Sequence, residues 1–279
     1  MIKIGDFNKL KIVRKTDFGY FLDGQTENSK DDILLHNRLV GKNSLQVGDE
    51  IEAFIYKDSE DRAAATLLPP KAKVDEIAYL KVVAHTQIGS FIDIGLPKDI
   101  LVPFKARHYE LTKGERYLFY IYLDKTGRLA ATTEIDSYLS TEHSYNIGDK
   151  VTGVVYGFQT NNSAMICVDN KFAGVILFNE YFTELKIGDQ VDLNVIKIYE
   201  DNKLGLTPRQ GRKEELDSLE EQIINYLEGA DGTMRFNDKS SPEEIYTVFN
   251  SSKKNFKRAL GVLMKKDLIT QDSQGTYLK

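Results

Sequence analysis

Residues 10–23 read LKIVRKTDFGYFLD, and residues 80–95 read LKVVAHTQIGSFIDIG. The offset between the two is 70, with no gap through Asp23 and Asp93. The match continues downstream. VGDEIEAFIYKDSEDRAAATLLPP, from Val47, is echoed by KGERYLFYIYLDKTGRLAATTEI, from Lys113, with Arg62 and Arg128 at matching places. A third, more diverged copy runs IGDKVTGVVYGFQTNNSAMICVDN, KFAGVILFNEYF and IGDQVDLNVIKIYEDNKLGLTPR, ending at Arg209. Three copies of one pattern mark a serial array of a single structural unit.

Each copy reads as β-rich, with short runs of Val, Ile, Phe and Tyr bounded by Gly, Asp and Asn. Ile51, Ala53 and Ile55 have counterparts in Tyr117, Phe119, Ile121 and in Val191, Leu193, Val195. Period two puts each set on one face, the interior. Three strands, a connection and two more strands in about 65 residues make a small five-stranded barrel, the OB-fold. The expected architecture is all-β, three such barrels over 1–70, 71–140 and 141–209, followed by a small α+β domain over 210–279. The short linkers around Pro69-Pro70 and from Ser137 to Tyr145 suggest an elongated monomer whose barrels share little interface.

Beyond Arg209 the pattern changes. GRKEELDSLEEQIINYLEGA is helical, with Leu216, Leu219, Ile223, Ile224 and Leu227 on one stripe. GTMRFN is a short extended piece. In SSPEEIYTVFN, Ser241 suits an N-cap and Pro242 the first helical position. SKKNFKRALGVLMKK starts a third helix after Ser251 or Ser252, its apolar face made of Phe256, Leu260 and Leu263. DLITQDSQGTYLK reads as two strands joined by a turn from Asp272 to Gly275. Three helices and a terminal hairpin define a winged helix.

Composition narrows the function. The 279 residues carry a net charge of −5, which excludes a uniformly basic protein but not a basic patch. By segment the net charge is −2 over 1–70, +1 over 71–140, −4 over 141–208 and zero over 209–279. From Lys253 onward there are 7 basic and 2 acidic groups. Cys167 is the single cysteine, so no internal disulfide and no Cys-based zinc site are expected, in keeping with a reducing compartment. MIKIGDFNKL has no apolar h-region and no run of 18 apolar residues occurs, so a cytoplasmic protein without membrane contact is expected.

Small barrels of this kind bind single strands by stacking bases on exposed aromatics, with cations along the backbone. Phe18 and Phe21 bracket Gly19, a residue that allows a ligand to approach closely. Arg62, and Arg128 in the second copy, are placed to present a cation beside that face. The second copy keeps Phe91, with Ile88 for the first aromatic. The third has Asn161-Asn162-Ser163 there and offers Tyr156, Phe158 and Phe178 instead. The competing reading is that these rings fill barrel cores. Alternation favours Phe21 and Phe91 pointing outward, with Leu22 and Ile92 inward. His36, in ILLHN, falls where the second copy has Pro103 and the third Phe178, and is a candidate for stacking or hydrogen bonding. In the tail, Lys253, Lys254, Lys257 and Arg258 crowd the start of the third helix, the one that enters a groove in DNA-binding relatives of the fold. No HExxH, paired-carboxylate motif, Ser-His-Asp order or GxxxxGK[ST] occurs, so neither catalysis, nor a metal, nor a cofactor is expected.

GSFIDIGLPKDILVP with YLDKTGRLAAT resembles the atypical S1-type repeat of the conserved virulence factor B family, and FGYFLD, ILLH and IYKDSEDRAAAT resemble its first repeat. IGDKVTGVVYG, AGVILFNE and LKIGDQVDLNVIKI look like a more ordinary S1 copy, and KKNFKRALGVLMKKDLI resembles the family's winged helix. Two features depart from ordinary S1 domains: where those place a His after the GLV of GLVHIS, Leu177 and Val102 stand instead, and their paired aromatics survive only at Phe18 and Phe21. The resemblance implies non-catalytic binding of single-stranded RNA and post-transcriptional regulation of gene expression, including virulence genes. The alternative is a DNA-binding transcriptional regulator that uses the winged helix and keeps the barrels for partners.

Overall fold

The computed structural model describes residues 2–181, 184–209 and 212–279, with backbone alone over 212–218. The chain forms two compact units, Met1–Pro208 and Arg209–Lys279. The first unit holds three closed barrels of five strands each.

In the first barrel the strands are β1 (Phe7–Thr16), β2 (Gly19–Leu22), β3 (Ile33–His36), β4 (Glu50–Lys57) and β5 (Ala63–Thr66), closed in the order β1-β2-β3-β5-β4. The second repeats this with β6 (Ile77–Thr86), β7 (Gly89–Asp93), β8 (Ile100–Pro103), β9 (Arg116–Leu123) and β10 (Leu129–Thr132). The third uses β11 (Lys150–Phe158), β12 (Ala164–Val168), β13 (Phe172–Ile176), β14 (Gln190–Ile198) and β15 (Leu204–Thr207). In every barrel the third and fifth strands pair in parallel and close the cylinder. Closure removes the free edges that would otherwise invite strand addition.

The alternation read from sequence places the interior correctly. Ala53 and Ile55, Phe119 and Ile121, and Leu193 and Val195 are all buried in their barrel cores. Leu22 and Ile92 are wholly buried, while Phe21 and Phe91 face outward and are half-buried. The expectation of little interface between barrels is corrected. The outer faces of β4 and β9 are also buried, because the neighbouring barrel covers them. Phe54, Tyr56 and Ala64 pack with Leu96 and Leu129 of the second barrel. Leu118, Tyr120 and Ile135 pack with Val154, Tyr156 and Cys167 of the third. Polar contacts reinforce both seams: Lys57 Nζ donates to the Thr126 carbonyl at 2.5 Å, and the Tyr79 hydroxyl to the Gly188 carbonyl at 2.7 Å.

The second unit contains α1 (Arg212–Gly229), β16 (Thr233–Met234), α2 (Pro242–Phe249), α3 (Lys253–Lys265), β17 (Ile269–Gln271) and β18 (Thr276–Leu278). Its three strands are ordered β16-β18-β17. Ser241 caps α2 in a reciprocal capping box with Glu244, and Ser252 caps α3 through the Asn255 amide. Leu219, Ile223 and Leu227 of α1 meet Phe249, Phe256, Leu260 and Leu263 in one core. The side chain of Leu216, expected on the same stripe, lies outside the described residues. Asp272 Oδ1 accepts from the Gln274 and Gly275 amides and closes the terminal hairpin at the expected turn.

Candidate nucleic-acid interface

The β1–β2 connection is a two-residue turn, Asp17-Phe18, since Thr16 pairs with Gly19. Asn37 secures it: its side chain donates to the Asp17 carbonyl and its amide to the Phe18 carbonyl. Phe18 is therefore held out from the barrel end, 50% exposed, and its ring meets Phe21 edge-on at 6.0 Å. Arg14 lies opposite Phe21 on β1, with its guanidinium carbon 4.0 Å from the ring centroid. This cation was missed in the sequence. The tight turn is the signal for it, because a Thr16–Gly19 closure sets Arg14 against Phe21. Gly19 has a different purpose from the one expected. A Cβ there would lie 2.3 Å from the Leu35 carbonyl oxygen, so glycine admits the neighbouring strand rather than a ligand.

His36 pairs with Gly19 across β2–β3. Its Nδ1 accepts from the Arg38 amide at 3.2 Å and caps the 3-10 turn Asn37–Leu39, which assigns the ring proton to Nε2. Arg62 stands two strands across from Phe21, in the β4–β5 turn, and its fork is occupied. Nε and Nη2 donate to Asp58 at 3.0 and 2.8 Å, and Nη1 lies 2.8 Å from Glu60. Arg128 likewise turns toward the first barrel, where Nε and Nη2 hold Asp61 at 2.5 and 2.6 Å. The hydrogen bond from Arg128 keeps the Asp61 carboxyl below its ordinary range. Neither arginine is the cation beside the aromatic pair.

Strand register relates the three barrels residue by residue. The outward row Arg14, Phe21, Leu34 becomes Ala84, Phe91, Leu101 in the second barrel and Gly157, Met165, Val175 in the third. Phe91 thus keeps the ring but loses the cation. Each third strand runs into a 3-10 turn whose N-cap position is held by His36, Pro103 and Leu177 in turn, and only His36 caps through its side chain. Phe178 consequently matches Asn37 and Phe104, not His36, whereas Pro103 stands at the His36 position as read from the sequence. Phe104 was passed over in the sequence. It is 48% exposed, with the Arg107 guanidinium 4.5 Å from its centroid.

In the third barrel Phe158 and Phe178 are on the surface, 38% and 61% exposed. Tyr156 is not, which corrects its expected role as a stacking surface. It is buried in the seam with the second barrel, its hydroxyl donating to Asp136 at 2.6 Å, and burial with that bond drives its pKa far up. Phe158 borders a cleft of about 300 Å³ in that seam, shared with His108, Glu134 and Asp136.

In the second unit Lys253, Lys254, Lys257 and Arg258 form two adjacent rows at the start of α3, opposite the buried Phe256. Lys253 Nζ reaches the Lys239 carbonyl at 3.4 Å and Lys257 lies 3.3 Å from Asp238. Lys254 and Arg258 are exposed, and no carboxylate among the described residues pairs with them. Among the described residues no group of three or more His, Cys, Asp or Glu is placed to hold a metal ion, and no helix is long and apolar enough to cross a membrane.

Three OB barrels in series, each with surface aromatics near the third strand, and a winged helix with a basic third helix define a multidomain protein of S1 and winged-helix type. Residues 4–68 and 76–134 match the S1 domain family, and residues 221–278 match the CvfB-like winged helix domain. The chain is 35% identical to YitL of Bacillus subtilis, over 97% of this chain and 92% of that one. It is 28% identical to conserved virulence factor B of Staphylococcus aureus, over 95% and 91% of the two chains. A crystal structure of a multidomain protein with nucleic acid binding domains from Streptococcus pneumoniae superposes with a TM-score of 0.53 at 27% identity, covering 99% of this chain and 98% of that one. The chain belongs to the conserved virulence factor B family.

Proposed function

We propose that this protein binds single-stranded RNA without catalysis and regulates gene expression after transcription, including genes that serve virulence. The observation that carries the reading is the Phe18–Phe21 pair backed by Arg14. Rings at the surface stack bases of any sequence, and a guanidinium beside them serves both the ring and the backbone phosphate. Support comes from the S1 family match over the same barrel, from the nucleic acid binding domains named in the Streptococcus structure, and from the name of the Staphylococcus relatives. A cytoplasmic monomer is part of the proposal.

One observation favours a second reading, in which the winged helix reads duplex DNA: Lys254 and Arg258, exposed and without a carboxylate partner among the described residues, lie on the helix that enters a major groove in other winged helices. Competition among labelled single-stranded RNA, single-stranded DNA and duplex DNA at one salt concentration separates the two. The proposal expects single-stranded RNA to compete best and to remain intact with and without divalent ions. Preference for the duplex, or cleavage of the RNA by the protein, would refute it.

A further inference from the structure

The second barrel carries a partly buried arginine where its two sisters carry side chains of their cores. Counting from the shared 3-10 turns, Arg107 matches Val40 of the first barrel and Tyr181 of the third. Val40 is part of the first core and Tyr181 packs against the third. One strand away the exchange is mirrored. Tyr20 and Ala164 point into their cores, and Ser90, wholly buried, takes their place in the second barrel. Arg107 Nη1 donates to Ser90 Oγ at 3.1 Å, and His85 Nδ1 lies 2.9 Å from the same oxygen. The Nε of Arg107 is buried with no hydrogen-bond partner, and no carboxylate among the described residues pairs with the guanidinium. A cation kept in place of an apolar plug, with one donor unsatisfied, is costly for the fold alone. Its charge is available to an anion.

Phe104 supplies the other half. Its ring carries Arg107 against one side and is open to solvent. This repeats the Phe21–Arg14 combination of the first barrel at a different point of the fold, in a barrel whose Phe91 has lost its own cation to Ala84. The second barrel is also the one whose segment has a net positive charge, +1 over 71–140. We infer that Phe104 and Arg107 form a nucleotide subsite, the ring stacking a base of single-stranded RNA and the guanidinium taking an adjacent phosphate. The inference rests on the reading of the chain as a single-strand binder and adds a contact point to it.

The test is a titration of the full chain with a fluorescein-labelled oligouridylate, read by anisotropy at several salt concentrations. Phe104→Ala weakens binding roughly five- to 150-fold, the range for one lost base stack, with Tm and salt slope unchanged. Phe104→Trp restores affinity. Arg107→Gln flattens the salt slope by about 0.7, the share of one phosphate on a single strand, and Arg107→Lys keeps it. Should Arg107→Gln fail to fold, the Phe104 pair decides. Undiminished affinity of Phe104→Ala while Phe21→Ala weakens binding would overturn the subsite and leave the single-strand reading standing. So would a loss of affinity that merely follows a lower Tm. If the unmodified chain binds neither oligouridylate nor a mixed-sequence RNA strand, the reading itself falls, and the subsite with it.

Discussion

The guanidinium carbon of Arg14 sits 4.0 Å from the centroid of the Phe21 ring, one strand across in the first barrel. The ring covers one face of the guanidinium, and on the proposed reading that cation meets the phosphates of a strand stacked on Phe18 and Phe21. The two residues should therefore separate in their salt response. Phe21→Ala costs ~1–3 kcal/mol of RNA affinity with the salt slope unchanged. Arg14→Ala lowers the slope by about 0.7. Equal slopes for Arg14→Ala and the parent would reject the phosphate contact.

A second relationship spans the seam between the first two barrels. Arg128 donates twice to Asp61, and that bond holds the carboxyl below its usual range. A depressed carboxyl stabilises the folded contact at pH above its unfolded pKa. It loses that contribution as pH falls through the folded, lower value. Amide exchange in the 58–62 and 124–128 turns should stay slow from neutral pH to about pH 4, the ordinary carboxylate value, and rise below it, after correction for intrinsic rates. Asp61→Asn should show the faster exchange already at neutral pH. Protection that ignores acid in the parent chain would rule the pairing out as a determinant of the seam.

Cys167 lies in the other seam, where burial first and the nearby Asp169 second push its thiol up to about 12. The thiolate is the reactive form, so at neutral pH almost none exists. A chromogenic disulfide reagent should leave the native chain unlabelled and titrate one thiol per chain after denaturation. Rapid labelling of native protein would show that the seam opens.

The barrel count, the interior positions and the winged helix were legible because each is a local periodicity: a 70-residue offset, a period of two, and caps at Ser241 and Ser252. The errors arose where a second segment decides the outcome. Tyr156 reads as an outward position of its own strand, and so it is, but the outside of that strand is the inside of a seam. Arg62 and Arg128 follow the repeat faithfully, yet their partners Asp58 and Asp61 sit in turns whose direction no alternation encodes. Aligning His36 with Phe178 slid the third barrel's turn by one residue, which hid the match of Phe178 to Phe104 and left Phe104 and Arg107 unremarked.

In the winged helix, fold and surface should respond independently. Phe256 is wholly buried against Phe249, ring centroids 4.9 Å apart. Phe256→Ala should cost ~3–5 kcal/mol, the usual price of a large aromatic removed from a core, and unfold this unit at lower temperature. A Tm for the unit equal to that of the parent would contradict the packing described.

The basic rows of α3 offer the sharpest test of ligand class. Lys257 is partly neutralised by Asp238 and Lys253 leans on the Lys239 carbonyl, so Lys254 and Arg258 are the cations left for a polyanion. Both are exposed, and alanine is a strong helix former, so their removal should leave the fold intact. Counterion release gives a slope of about 0.7 per phosphate on a single strand and about 0.9 on B-DNA. Lys254→Ala with Arg258→Ala should thus flatten the slope on single-stranded RNA by about 1.4. Lys257→Ala should do less, since Asp238 already shares its charge. Phe178→Ala, in the third barrel, should weaken RNA binding without touching the slope. If the first two barrels carried the whole affinity, a fragment of residues 1–140 would bind RNA as tightly as the full chain in the same salt, and the double alanine variant would titrate like the parent. A loss confined to duplex DNA, with single-stranded RNA unaffected, would instead assign α3 to a DNA groove and leave the barrels alone to hold RNA.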